Sequence, residues 1–260
     1  MEKLSPVRRI ATALSYGALT HSAFALGVGS MVVAMGFGMQ LGQGPFEGPL
    51  AWVANLLLLL QFPLGHSFFL TGPGRRWLAA LSPATGDHGK TLATTTYALI
   101  ASLQLVLLFW GWSPSGVTWW QAEGQALVAI VALYAAAWGF LGLAILNGGP
   151  LLQSGALGWI ALLRNKAPVF PDMPTRYLYA LTRNPIYLAF TCTLWTVPTW
   201  SPDQLLVAVT WTAYCVLAPR LKERRFEAIH GARFRAYQAR VPYFLPFPKG
   251  RKNAQRYPAE

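Results

Sequence analysis

PDMPTRYLYALTRNPIYLAFTCTLWTVPTWSPDQLLVAVTWTAYCVLAPRLKERRFEAIHGARFRAYQARVPYFLP occupies residues 171–246 and decides the fold. Two apolar runs, about 185–200 and 203–219, are joined through Pro198-Thr199-Trp200-Ser201-Pro202-Asp203. Arginines, tyrosines and a glutamate crowd both ends of that hairpin. Polar groups at the ends of a hydrophobic segment are what a membrane boundary produces, so the stretch reads as a bilayer hairpin with a polar cluster at one face.

The rest of the chain agrees. Of its 260 residues, 54% are hydrophobic and 12% charged, where a soluble domain carries about 25% charged. A net charge of +12 would suit nucleic acid. The basic residues instead lie between long apolar runs, which makes them topology signals and argues for no nucleic-acid partner. A helix needs about 20 apolar residues to cross a bilayer. Six stretches are expected to do so: 12–39, 50–71, 93–113, 124–146, 185–200 and 203–219. The first follows Arg8 and Arg9 as a signal peptide would, but it is too long, carries His21, and has no clear cleavage site, so it is expected to be a retained helix.

All 21 Lys and Arg fall in the N-terminus, the second and fourth connections and the tail from Arg220. The first, third and fifth connections have none and hold Glu47, Glu123 and Asp203 instead. Because cytoplasmic loops are the basic ones, this alternation predicts an all-α membrane protein with six transmembrane helices and both termini cytoplasmic. Pro219 should end or kink the sixth span. A basic amphipathic helix, about 220–240, is then expected to lie on the anionic membrane surface, with Phe226, Ile229, Phe234, Tyr237 and Val241 on one side. Gly27, Gly29, Ser30, Gly36 and Gly38 suit close packing of the first helix on a neighbour, as scaffold or as dimer contact, and leave a homo-oligomer open. The run GGPLLQSGALGW after the fourth span is too short to cross and reads as interfacial or re-entrant.

Chemistry concentrates near Pro185. That proline pushes Asn184 out of helical geometry and suits the first turn of a helix. Arg183 and Asn184 therefore sit at a helix entrance, where free N–H groups favour anions. Arg183 either holds a carboxylate there or caps the membrane boundary. Glu223 either pairs with Arg183, Arg176 or its neighbouring arginines, or accepts from a ligand. The Val241–Pro246 run either closes over a flat ring or packs on the membrane face. His66, an ionisable residue inside an apolar run, either lines an acceptor pocket or takes a proton, or is a hydrogen-bonded histidine between helices. The four histidines lack Cys or carboxylate partners at ligand spacing, so no metal site is expected.

Taken together, these residues have an order. Arg183-Asn184-Pro185-Ile186-Tyr187, a hydrophobic hairpin, Lys222-Glu223-Arg224, Gly231 through Tyr237, and Val241-Pro242 through Pro246 resemble the integral-membrane methyltransferases of the isoprenylcysteine carboxyl methyltransferase and phospholipid methyltransferase type. Gly65-His66-Ser67, Arg75-Arg76-Trp77, Tyr97 through Ser102, Leu107 through Trp112, and Leu194 through Thr199 with Thr212-Ala213-Tyr214 resemble the bacterial methanethiol S-methyltransferase branch. Two positions depart from that branch: Asn184 stands where it usually has His, and Lys222-Glu223 where it has a Glu pair.

The resemblance implies a four-helix scaffold over 1–170, a methyltransferase core over 171–248 and a basic tail over 249–260. It implies S-adenosylmethionine as cofactor, entering from the cytoplasm, and a small thiol such as methanethiol as acceptor, arriving from the bilayer and leaving as dimethyl sulfide. A phospholipid or isoprenylcysteine acceptor, or a non-catalytic membrane subunit, is the alternative. The cofactor's carboxylate would suit Arg183 or Arg176, its sulfonium Tyr187 or Tyr237, and its ribose or amine Glu223. The implied binding set is Arg176, Tyr177, Arg183, Asn184, Pro185, Tyr187, Glu223, Arg224, Tyr237, Val241 and Pro242, and the candidate catalytic set is His66, Asn184 and Tyr187. The protein is expected to be a multi-pass protein of the bacterial inner membrane with its site facing the cytoplasm.

Overall fold

The computed structural model describes residues 5–247; the basic tail 249–260 and Lys3 lie outside them. In chain order the elements are α1 (Pro6–Gly36), α2 (Gly48–Phe69), α3 (Gly72–Ala80), α4 (Gly86–Trp110), β1 (Trp120–Gln121), α5 (Gly124–Asn147), α6 (Pro150–Gln153), α7 (Ala156–Leu163), α8 (Leu178–Leu181), α9 (Pro185–Trp195), β2 (Thr199–Trp200) and α10 (Pro202–Arg240). The chain divides into two compact units. The first is drawn from Met1–Ala122, Pro150–Phe170 and Pro198–Leu205, the second from Glu123–Gly149, Pro171–Val197 and Leu206–Glu260.

Among the described residues, five helices are long and apolar enough to cross a membrane: α1, α2, α4, α5 and α10. Their apolar side chains point outward, as with Leu14, Leu19, Leu26 and Val33 of α1. Water would penalise such surface, whereas lipid accepts it. The stretch expected as the fifth span differs. Its helix α9 has 11 residues, which rise about 17 Å against a hydrocarbon core of about 30 Å. After it the chain extends, and β2 pairs antiparallel with β1, Trp200 opposite Trp120.

The C-terminal helix also differs from the expected pair. Pro219 does not end it: α10 runs unbroken through the proline to Gly231, which breaks it at φ 51, ψ −123. A proline removes the N–H bond to the carbonyl four residues back, here that of Cys215. Pro219 is nonetheless buried within the helix, and the Tyr243 hydroxyl donates to the adjacent Val216 carbonyl at 2.6 Å. The amphipathic segment is therefore the continuation of a membrane helix.

In the first unit, α1 packs on α4 and α7. Ser5 accepts from the Arg8 N–H and Pro6 opens the helix, which suits an N-terminus. Ala13, Gly17, Thr20, Ala23, Gly27 and Met31 form its buried stripe. A Cβ on Gly27 would lie 2.8 Å from the Ser102 carbonyl oxygen, so only glycine admits α4 there. Gly29, expected in this seam, faces open space instead. The expected interfacial run folds as α6 and α7; the Thr95 hydroxyl of α4 donates to the Gly155 carbonyl at 2.7 Å and accepts from the Trp159 N–H at 2.9 Å.

Polar side chains tie this unit internally. Gln61 and Gln104 exchange amide donations to each other's backbone carbonyls at 3.0 and 2.9 Å. Asn55 donates to the Ser113 carbonyl at 2.8 Å and accepts from its N–H at 2.9 Å. The Asp203 carboxylate, 1% exposed, accepts from Gln40 (2.8 Å), the Trp112 indole (3.0 Å), and the Ser115 N–H and hydroxyl (3.1 and 2.5 Å). It joins three connections that are far apart in sequence.

Removing that carboxylate orphans four donors. Asp203→Ala is expected to cost about 3 kcal/mol of stability, read as a lowered unfolding midpoint in detergent. Asp87→Ala, which removes only an exposed pair with Lys90, should leave the midpoint where it was; equal midpoints for the two variants would refute the assignment.

Candidate functional site

The second unit gathers most of the motif residues around one corner. Pro185 is the first residue of α9 and is buried; Asn184 before it takes φ −131, ψ 52 and makes no side-chain cap. Its amide is spent elsewhere. Asn184 Nδ2 donates to the Tyr243 carbonyl at 2.9 Å and to Glu223 Oε1 at 3.3 Å.

Residues 182–184 and 241–244 are knitted by four consecutive carbonyls. The Val241 carbonyl accepts from Arg183 Nη1 (2.8 Å), Pro242 from the Arg183 N–H (3.0 Å), Tyr243 from Asn184, and Phe244 from the Thr182 hydroxyl (2.7 Å). A chain carrying Pro242 and Pro246 cannot make a regular ladder. Three side chains of residues 182–184 and the Arg183 N–H supply the donors instead.

Arg183 is the centre of the corner. Its Nε donates to Glu223 Oε1 at 2.8 Å and its Nη2 to Oε2 at 3.1 Å, a two-point fork. Its Nη1 is divided between the Gln238 and Val241 carbonyls. Four of the guanidinium's five N–H groups are thus engaged within the chain. Of the alternatives the sequence left open, pairing of Glu223 with Arg183 is the one found, and the fork does not stand open to a ligand. Both residues are 8% exposed. Glu223 is further satisfied by Gln238 Nε2 at 3.1 Å.

Beside this pair lies Lys222. Its Nζ donates to Asn184 Oδ1 at 2.5 Å and to the Arg183 carbonyl at 3.2 Å. The rings of Phe226 and Tyr187 sit 5.6 and 5.9 Å from it, within cation–π range. The Tyr243 ring lies 5.6 Å from the Arg183 guanidinium. Burial raises the Tyr243 phenol above its ordinary range, reinforced by Glu223 and opposed by Arg220 and Arg183. Burial likewise pushes Tyr179 up to about 12.

A strap leads into the corner. Met173 is buried against Phe234, Tyr237 and Val241. Asp172 takes both oxygens to Arg233, at 3.0 and 2.6 Å, and that guanidinium holds its carboxyl below the usual range. Tyr237 donates to the Tyr179 carbonyl at 2.6 Å, so its hydroxyl faces the backbone of α8. At the strap's end Arg176 and Tyr177 are exposed, and Tyr177 adopts φ 54, ψ −124, a backbone conformation costly for any residue with a Cβ.

Arg183, Asn184, Pro185, Tyr187, Glu223, Tyr237, Val241 and Pro242 therefore share one neighbourhood, with Arg176 and Tyr177 on the strap. Arg224 is exposed on α10. His66 belongs to the first unit, stacked on Phe62 (5.2 Å between centroids) and tilted on Tyr97 (4.8 Å). Sequence reasoning missed Thr182, Gln238 and the carbonyls of 241–244, which carry no motif. It treated Lys222 only as a departure, although a lysine one residue before the key acid on a helix was a readable signal.

Glu223→Met or Arg183→Met alone is expected to cost about 3–5 kcal/mol by stranding a buried charge, and the double variant less than either single. A double-mutant cycle of unfolding midpoints checks this; simple additivity would contradict it.

No family model matches the chain, and no solved structure does. Curated relatives do. Methanethiol S-methyltransferase 2 of Bradyrhizobium diazoefficiens is 30% identical over 255 residues, 94% of this chain and 93% of that protein. The methanethiol S-methyltransferase of Mycobacterium tuberculosis is 30% identical over 203 residues, 76% of this chain and 79% of its own length. Nurim of Mus musculus is 29% identical over 187 residues, 67% of each.

Proposed function

Because the chain belongs to the family of integral-membrane methyltransferases that contains the methanethiol S-methyltransferases, we propose that it transfers a methyl group from S-adenosylmethionine to a small thiol, methanethiol being the acceptor that the relatives' names favour. The observation that carries this reading is the packing of the motif residues into one cation-rich, aromatic-walled corner of the second unit. S-adenosylmethionine, when bound, supplies an activated methyl group, so the protein's work is to hold, orient and exclude water.

The residues fit that zwitterionic nucleotide by the chemistry of their donors. Arg176, Arg224 and Arg225 are exposed cations beside the corner's sequence, and Arg220 neighbours Tyr243; these suit a carboxylate. The rings of Tyr187, Phe226 and Tyr243 suit a sulfonium or a base. Arg183, Glu223 and Asn184 act as the frame that holds α9, α10 and residues 241–244 in register. Tyr187 and Asn184 are the proposed groups at the reacting centre, and His66 the proposed lining of the acceptor's path. We assign the methyltransferase core to 171–248 and the scaffold to 1–170.

The satisfied Arg183–Glu223 pair also favours a second reading, a membrane protein that keeps the fold without the chemistry. Purified protein given labelled S-adenosylmethionine should convert methanethiol to labelled dimethyl sulfide. Label on phospholipid amines or prenylcysteine instead would favour those acceptors. Failure to bind S-adenosylhomocysteine in calorimetry would favour the subunit reading.

We further propose six crossings with both termini and the site cytoplasmic, in a bacterial inner membrane. The basic-residue alternation supports this. Single cysteines placed at the exposed positions Glu47 and Glu123 in a Cys192→Ala, Cys215→Ala background should react with an impermeant thiol reagent from outside, and one at the exposed Arg75 only after lysis. Labelling of the Arg75 cysteine in intact cells would overturn the orientation.

A further inference from the structure

The corner of the second unit holds two cations and one anion. The Glu223 carboxylate is taken up: Arg183 occupies both oxygens, Asn184 a further site on Oε1 and Gln238 one on Oε2. Lys222 is left beside them with its charge uncompensated. An ammonium has three N–H donors. Two go to Asn184 Oδ1 and the Arg183 carbonyl, and the third has no acceptor among the described residues. Two aromatic faces, Tyr187 and Phe226, flank the nitrogen.

A half-buried ammonium with no carboxylate of its own is costly to hold. Neutral oxygens and ring faces offset part of that cost; an anion on the third N–H would offset more. The surroundings select which anion. The ring faces beside the nitrogen carry negative charge density, so they admit a small monovalent group that reaches the third N–H past the ring edges and disfavour a multiply charged one. Arg183 cannot take this role, since four of its N–H groups are engaged.

We propose that Lys222 is the anion-binding residue of this site, its third N–H receiving a monovalent anionic group of a substrate while the Tyr187 and Phe226 rings hold the ammonium in place. The identity of that group rests on the methyltransferase reading: it is either the acceptor's thiolate or the donor's carboxylate. The existence of the anion site does not depend on that reading.

Two probes separate the sources. Full-length protein in detergent is melted in millimolar sodium thiocyanate or sodium acetate, with ionic strength held constant by sodium fluoride. The wild type should show a saturable rise in midpoint with one of them, kept in Lys222→Arg and lost in Lys222→Met. Lys222→Met loses the bonds to Asn184 Oδ1 and the Arg183 carbonyl and should melt lower without added anion, so each variant's anion response is read against its own midpoint.

Protection by acetate, with S-adenosylhomocysteine binding weakened about tenfold (about 1.4 kcal/mol) in Lys222→Met, assigns the donor's carboxylate. Protection by thiocyanate alone, with S-adenosylhomocysteine binding unchanged and methanethiol turnover down about tenfold, assigns the thiolate. No saturable anion effect in the wild type, or the same effect in Lys222→Met, overturns the proposal. Binding of S-adenosylhomocysteine without any anion effect sinks this inference alone. Anion protection through Lys222 in a protein that binds no S-adenosylhomocysteine keeps it and removes the methyltransferase reading.

Discussion

A guanidinium and a carboxylate that have left water must satisfy each other completely, and the pairing of Arg183 with Glu223 is where this chain meets that demand. Its fork contacts of 2.8 and 3.1 Å join the turn before α9 to the middle of α10. The remaining donors of Arg183 reach the backbone at Gln238 and Val241. The irregular, proline-bearing segment 241–244 is consequently fixed by side chains, and the corner that carries the motif exists because of that pair. A buried pair of this kind adds little net stability over a well-packed apolar one. It specifies which segments meet.

The same accounting governs the first unit. Gln61 with Gln104, Asn55 with Ser113, and Asp203 with Gln40, Trp112 and Ser115 each close a polar group onto a distant partner. Between apolar helices there is no hydrophobic gain in exchanging lipid for protein, so close glycine contacts and such hydrogen bonds set the register. Gly27 against Ser102 is the steric half of that rule and the Gln61–Gln104 exchange is the polar half.

For function, the consequence is a division of labour within the motif. The residues that look most like ligand-grippers on paper, Arg183 and Glu223, are occupied in building the corner. The groups with capacity to spare are the exposed arginines, the ring faces, and the ammonium of Lys222. Under the proposed methyl transfer, a donor with a built-in leaving group needs orientation and dryness more than a strong acid or base, and a rigid frame with a few uncommitted cations suits that need. One of the relatives named as methanethiol S-methyltransferases aligns across 94% of the chain.

Read as letters alone, the chain already specifies a helical membrane protein. Apolar run length and the placement of lysine and arginine are local properties that need no partner to be interpreted. The helix start at Pro185 is legible for the same reason, since proline fixes its own φ, whereas the first helix begins at Pro6, ahead of the expected 12–39. The order from Arg183 through Pro246 likewise marks the corner in advance. The tertiary structure alone decided that the Arg183 fork closes on Glu223, that Lys222 turns to Asn184, that Asp203 collects donors from two other connections, that α10 runs through Pro219, and that α9 stops after 11 residues. Each of these is a competition for hydrogen-bond partners or packing space. The competitors lie tens to more than a hundred residues apart, and only the folded chain brings them within reach of one another.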